Sequence, residues 1–168
     1  MGLEEFVSAL VENYGLLGIF VASVIVNATI FFTIPIDFIL FAVAALSTSL
    51  SFVVLAGLVA GIGAGIGEMV GYALGLFGIS SAEKFLKKKI TGIEEIQLKI
   101  SKKGMLFVFI TALTPFPFDF VGIVSGLIRY NWVKFFIAVT AGRTIRYEII
   151  ALAGFFGVET VKKIFSIG

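Results

Sequence analysis

Two copies of a Pro-x-Asp-Phe tetrad, 35–38 and 117–120, interrupt otherwise apolar stretches of the chain. Proline removes a backbone donor and breaks a helix, and a carboxylate in hydrocarbon is costly. A helix break beside a charge is tolerated at membrane depth only where protein or a water-filled cavity shields it. Two such interruptions in corresponding places predict a transporter-type site built from two repeated halves.

The composition predicts a single integral membrane domain. Of the 168 residues, 59% are hydrophobic, the mean hydropathy is +1.10, and only Asp37 and Glu68 are charged between Glu12 and Glu83. With no cysteine and no histidine, the chain lacks thiolates, imidazole bases and the metal ligands that these two residues supply. We therefore expect no metal site, no cofactor and no enzymatic activity. The first twelve residues have no basic region, so no cleavable signal peptide is expected.

The first half of the chain reads as a short surface helix followed by membrane segments. Residues 3–13 are amphipathic and predict a helix at the interface, and 14–32 are long enough for one crossing. After the first tetrad, 39–46 form only a short apolar piece before a polar turn. Such a proline-broken segment predicts a re-entrant hairpin, and 51–78 predict the next crossing.

The segment 51–78 is rich in glycine, at positions 57, 61, 63, 65, 67, 71, 75 and 78. Several of these glycines lie four apart, which allows helices to approach closely. Glu68 falls at helical spacing from Gly61, Gly65 and Gly75. We therefore place Glu68 on a helix-packing face, away from lipid.

The second half begins after a basic segment. Residues 81–104 contain seven lysines and three glutamates with apolar residues at helical spacing, which predicts an amphipathic cytoplasmic linker. The stretch 105–127 is then interrupted around Pro115, Pro117 and Asp119. A third crossing, 132–157, carries Arg143 and Arg146.

These segments predict an all-α, multi-pass protein of the plasma membrane. Repeat 1 covers about 31–78, the basic linker 79–104, and repeat 2 about 105–157. If each repeat is a re-entrant hairpin plus one crossing, the odd number of crossings makes the repeats inverted. The two hairpin tips then meet near the middle of the membrane.

The order of the motifs resembles the DedA family, also called the VTT-domain or SNARE-associated Golgi protein superfamily. The motifs are Gly65-x-Gly-Glu-x-x-Gly-Tyr-x-x-Gly75, Lys103-Gly104, Thr114-Pro-x-Pro-x-Asp119, Ser125-Gly126 and Gly142-Arg-x-x-Arg-Tyr147. The resemblance covers about residues 15–160 and is greatest to the small archaeal or YqaA-like branch.

The resemblance implies two facing re-entrant hairpins and the movement of lipids across the bilayer. The implied lipids are polyprenyl-phosphate carriers in prokaryotes and phospholipids in eukaryotic relatives. Typical bacterial members have arginines beside the proline of the second hairpin. Here the corresponding positions, near Ala112 and Phe118, are apolar, and the arginines lie on the next crossing.

The charged residues of the predicted membrane segments allow two interpretations. Arg143 and Arg146 suit a phosphate headgroup, while Asp37, Glu68 and Asp119 tune the charge and exchange protons. Alternatively, the arginines neutralise buried acids, and the aspartates cap the hairpin helices. With Glu148, which we assign no role, four acids face two arginines, which argues against a purely structural network.

We therefore predict a flippase or scramblase that translocates an anionic lipid, such as a polyprenyl phosphate. The expected partners are membrane lipids, with proton coupling and a homo-oligomer left open, and no nucleic acid. The alternative is a proton- or cation-coupled transporter of a small solute. A solute transporter needs a closed vestibule, whereas a lipid transporter needs a lateral opening between helices. A scaffold without transport leaves the paired acids unexplained.

Overall fold

The computed structural model describes residues 3–29, 36–78, 93–115 and 118–164. In these ranges the chain is helical and contains no strand, which confirms the all-α class. The helices are α1 Leu3–Ala28, α2 Ile36–Leu46, α3 Leu50–Phe77, α4 Ile93–Leu113, α5 Asp119–Leu127 and α6 Trp132–Ile164.

Two of the long helices are broken where the sequence changes character. In α1 the backbone of Gly15 leaves the helical region at φ 53° and ψ −124°, a left-handed conformation that favours glycine. This break separates the predicted amphipathic segment 3–13 from the predicted crossing. In α4 the break is at Lys103, next to the predicted start of repeat 2. The greater part of the basic linker, 79–92, lies outside the described residues.

A short apolar helix follows each tetrad proline. Helix α2 has 11 residues and α5 has 9, and the aspartate of each tetrad lies in the first turn. A carboxylate is favourable there because the helix N-terminus carries partial positive charge. Pro35 and Pro117 lie outside the described residues, whereas Pro115 is exposed in a turn after α4. The re-entrant geometry of these segments stays a prediction.

Each short helix packs mainly against a long helix of the other half. Helix α2 contacts α6, α5 contacts α3, and α3 and α6 contact each other extensively. Helix α1 packs on α3 as α4 packs on α6. Both halves therefore have the order long, short, long, while their inversion across the membrane remains a prediction.

Helix α3 lies at the centre because its glycines let three neighbours approach. A Cβ added at Gly61 or Gly65 would overlap a threonine of α6, and one at Gly63 or Gly67 would meet backbone carbonyls of α1. A Cβ at Gly75 would overlap the backbone of α5. The glycine spacing therefore predicted close helix approach correctly at Gly61, Gly65 and Gly75, whereas a Cβ at Gly71 would have its nearest atom at 3.8 Å.

Two helices are long and apolar enough to cross a membrane by length and composition, in the part of the chain that the structure describes. They are Val11–Ala28, within α1, and Leu50–Phe77, which is α3. Helix α3 also exposes an apolar face, at Leu55, Leu58, Ile62, Ile66, Val70 and Leu74. Helix α6 is not among these candidate spans, and it carries several charged residues.

Candidate functional site

A buried ion pair joins α6 to α3. The Arg143 guanidinium donates from Nη2 to Glu68 Oε1, and these residues are 9% and 2% exposed. Glu68 therefore lies on the packing face that the glycine spacing predicted. Burial of a single unpaired carboxylate costs several kcal/mol, so the pairing is what makes Glu68 tolerable there.

The same arginine also contacts the beginning of α5. Its Cζ lies 5.3 Å from the centroid of the Phe118 ring, an arrangement that favours the cation. The Phe118 ring in turn lies 6.0 Å from the Phe135 ring of α6. Arg143 therefore links α3, α5 and α6 at one point.

A second ion pair joins α6 to α2 and to the end of α4. Arg146 donates from Nη2 to Asp37 Oδ2, in the first turn of α2, and from Nη1 to the carbonyl oxygen of Thr114 at 2.7 Å. Pro115 follows Thr114, where the helix has ended. Arg146 thus holds together the two interrupted regions of the chain.

The two pairs differ in the exposure of their acids. The Asp37 side chain is 29% exposed and that of Arg146 14%, against 3% for the Glu68 side chain. A carboxylate that reaches water can leave its arginine and be hydrated, whereas separating a buried pair strands a charge. Separating the Arg146–Asp37 pair is therefore expected to cost less than separating the Arg143–Glu68 pair wherever Asp37 meets water.

Asp119 and Glu148 occupy different surroundings. Asp119 is half-buried in the first turn of α5, and its backbone lies beside Gly71 of α3. Glu148 is half-buried on α6, and its carboxylate lies against Gly57 of α3. Both residues therefore lie against α3 but on different neighbouring helices, Asp119 through its backbone and Glu148 through its carboxylate.

A polar network beside the site was missed by the sequence analysis. Asn27 near the end of α1 donates to the Tyr147 hydroxyl at 3.3 Å and to the Ser23 carbonyl at 2.8 Å. Ser23 donates to the Ala60 carbonyl of α3 at 2.7 Å. Two consecutive residues of α6 therefore contact the two helices on either side of the α1–α2 connection. Tyr147 accepts from Asn27 of α1, and Arg146 donates to Asp37 of α2. The signal available in the sequence was an asparagine inside an apolar run.

Removal of the Tyr147 hydroxyl is expected to destabilise the protein modestly. Tyr147 is 1% exposed, so Tyr147→Phe leaves Asn27 with a weaker set of partners at a cost of about 1 kcal/mol. Thermal unfolding in detergent measures the change, with Tyr14→Phe as the control because Tyr14 is 62% exposed. Equal unfolding temperatures for the two variants would show that the network adds no stability.

The structure thus brings four of the five predicted site residues together as two arginine–carboxylate pairs, Arg143–Glu68 and Arg146–Asp37, while Asp119 is in neither pair. This arrangement satisfies the structural interpretation, and it also gathers guanidinium groups where the two broken segments meet. Whether these residues bind a substrate stays a prediction. Among the described residues no group of three or more acids could hold a metal ion.

Comparison with known proteins agrees with the motif order. The family model of the VTT domain matches residues 34–156, which is more than half of the 168 residues. Neither the curated proteins nor the solved structures include a match to the chain. The matched range begins just before Asp37 and includes both ion pairs. The chain therefore belongs to the VTT-domain family, the DedA and SNARE-associated domain, whose members are membrane proteins.

Proposed function

We propose that this protein translocates an anionic lipid across the bilayer, with a polyprenyl phosphate as the substrate, and does not alter the lipid chemically. The family is generally linked to membrane transport and lipid flipping. The observation that carries the proposal is the Arg146–Asp37 pair, which is partly exposed and joins the two interrupted regions.

The phosphate headgroup would replace Asp37 at Arg146. A guanidinium presents parallel N–H groups that fit the oxygens of a carboxylate or a phosphate equally well. Asp37, already 29% exposed at its side chain, would turn to water when it is displaced. The buried Arg143–Glu68 pair would stay intact and hold α3 and α6 in position.

The charge balance of the site supports coupling of lipid translocation to proton uptake. Asp37, Glu68 and Asp119 already outnumber Arg143 and Arg146, and a phosphate adds further negative charge. Uptake of a proton by one of the acids would offset this repulsion. Proton coupling is therefore part of the proposal.

The membrane arrangement proposed for this activity is multi-pass in the plasma membrane. The segments around α2 and α5 would be re-entrant hairpins that enter from opposite leaflets, as in inverted-repeat transporters. The lipid tail would remain in hydrocarbon while only the headgroup crosses a polar region. The basic linker, 79–104, would be cytoplasmic.

Arg146→Ala is expected to slow translocation at least tenfold. The variant removes the group that would exchange Asp37 for phosphate, and charge-assisted hydrogen bonds of this kind contribute about 1.5–3 kcal/mol. Arg146→Lys is expected to keep part of the rate because it retains the charge without the planar fork. The measurement is flipping of a polyprenyl phosphate in proteoliposomes at several pH values.

Lys134→Ala is the matched control, since Lys134 is an exposed cation on the same helix. If the Arg146→Ala variant folds normally and still flips the lipid at full rate, the headgroup assignment is wrong. Uptake of a small solute by vesicles that flip no lipid would instead favour a proton- or cation-coupled solute transporter.

A further inference from the structure

The turn between α5 and α6 holds an arginine in a backbone conformation that favours glycine. Arg129 has a φ of 52°, and it is the one non-glycine residue with a positive φ within the described ranges. Its N–H donates to the Gly126 carbonyl at 3.0 Å, and that of Tyr130 donates to the Ser125 carbonyl at 2.9 Å. This is a Schellman motif, in which the left-handed position is most often glycine. Arginine there has a conformational cost, so its presence calls for an explanation.

The fold does not supply that explanation. The Arg129 side chain is exposed, and no hydrogen bond or ion pair joins it to another residue in the described part of the chain. Glycine or asparagine would end the helix with the same backbone bonds at a lower conformational cost. We therefore expect the cation to interact with a ligand outside the chain.

Two further cations lie beside this turn, at the break in α4. Lys102 and Lys103 are exposed, and Lys103 is the residue at which the helix is broken. The next residue, Gly104, lies against the ring of Tyr130, since an added Cβ would be 2.5 Å from the Cε2 atom. This contact brings the backbone of Lys103 close to that of Arg129. The three cations therefore lie at one end of the molecule.

Exposed apolar residues follow the three cations along both helices. They are Met105, Leu106 and Ile110 on α4, and Trp132, Val133 and Ile137 on α6. The two helices run in the same direction, since Gly142 of α6 lies against the Phe109 carbonyl, further along α4 than the Tyr130 contact. An exposed tryptophan between charged groups and an apolar surface is typical of the boundary between headgroups and hydrocarbon. The cations therefore lie at the level of the lipid headgroups.

We propose that Arg129, Lys102 and Lys103 bind the headgroups of anionic phospholipids in the cytoplasmic leaflet. The leaflet follows from the proposed topology, because the basic linker, 79–104, ends at this group. Each cation near an anionic membrane surface adds to the affinity, and a guanidinium can donate two N–H groups to one phosphate. The bound lipid stays in its leaflet, which distinguishes this surface from the proposed headgroup site at Arg146.

Trp132 can report on the neighbouring lipids because it is the one tryptophan of the chain and is 59% exposed. The protein is placed in vesicles of phosphatidylcholine and phosphatidylglycerol, and one of the two lipids carries brominated acyl chains, which quench tryptophan fluorescence on contact. We expect brominated phosphatidylglycerol to quench Trp132 more than its mole fraction predicts, and high salt to remove the excess. Equal quenching by the two lipids at low salt would overturn the proposal.

Arg129→Gly separates the charge from the fold. It removes the cation and supplies the residue that the left-handed position favours, so the unfolding temperature in neutral detergent should stay the same or rise. The preference for phosphatidylglycerol is expected to fall about fivefold, the equivalent of one cation at a membrane surface. An unchanged preference in a folded Arg129→Gly protein would contradict the assignment of this residue.

Arg129→Lys and Arg129→Asn are the matched variants. Lysine keeps the charge and should retain most of the preference, whereas asparagine is neutral, tolerates a positive φ and should behave like glycine. Equal loss of the preference in the lysine and asparagine variants would show that charge is not the cause. Quenching is measured without transport, so a failure of the proposed translocation would leave this surface standing, and equal quenching by the two lipids would leave translocation standing.

Discussion

Glu68→Ala is expected to lower the free energy of unfolding by about 3–5 kcal/mol, because it leaves a buried guanidinium without its counter-charge. Arg143 is 9% exposed, and it donates a hydrogen bond to the Glu68 carboxylate. Its Nε–H is already without a partner in the described part of the chain. Removal of the Glu68 carboxylate would therefore leave the buried Arg143 guanidinium between α3 and α6 with most of its N–H donors unpaired.

The measurement is equilibrium unfolding in mixed micelles, with Glu12→Ala as the control because Glu12 is an exposed acid on α1. Replacing both partners with apolar residues of similar size, as in Glu68→Leu with Arg143→Met, is expected to restore most of the stability. If Glu68→Ala unfolds at the same denaturant concentration as Glu12→Ala, the pair does not stabilise the fold.

The double substitution also separates stability from transport. A stable Glu68→Leu, Arg143→Met protein that flips lipid normally would confine the buried pair to a structural role. A stable protein with slow flipping would place Arg143 in the transport site. The two interpretations of Arg143 therefore predict different results for one variant.

Much of the helix order could be predicted from local sequence. Proline and glycine act on the backbone within a few residues, so the end of α4 followed from Pro115, and the interruptions before the short helices α2 and α5 followed from the tetrads. The buried position of Glu68 followed from its spacing to Gly61 and Gly65, because helical periodicity places these residues on one face.

The sequence analysis allowed the arginines to pair with buried acids, but which acid each arginine pairs with was beyond prediction because it depends on how distant helices align. Gly57 meets Glu148, Gly61 meets Thr144 and Gly65 meets Thr140, which defines an antiparallel register between α3 and α6. Nothing local in either helix specifies this alignment. The same limit applies to the choice of Asp37 by Arg146, and to the contact of Asn27 with Tyr147, 120 positions apart.

Gly75→Ala is expected to destabilise the protein by about 3 kcal/mol, although alanine favours a helix more than glycine does. An added Cβ would overlap the carbonyl oxygen of Ile123 and lie 2.8 Å from its carbonyl carbon. Both are backbone atoms, so α3 and α5 would have to separate. Since α5 begins at Asp119, such a movement would also displace the region next to Phe118 and Arg143.

Gly71→Ala, one turn earlier on the same helix, is the matched control. The nearest atom to a Cβ at Gly71 is 3.8 Å away, which is ordinary van der Waals contact. Alanine at this position raises helix propensity by up to about 1 kcal/mol, and no steric overlap offsets that gain. The Gly71→Ala variant should therefore be as stable as the unaltered protein or slightly more stable. Thermal and denaturant unfolding of the two variants under identical conditions measure the difference. Equal stability of the Gly75 and Gly71 variants would mean that α5 adjusts freely against α3, and that close packing at Gly75 does not hold the second tetrad in place.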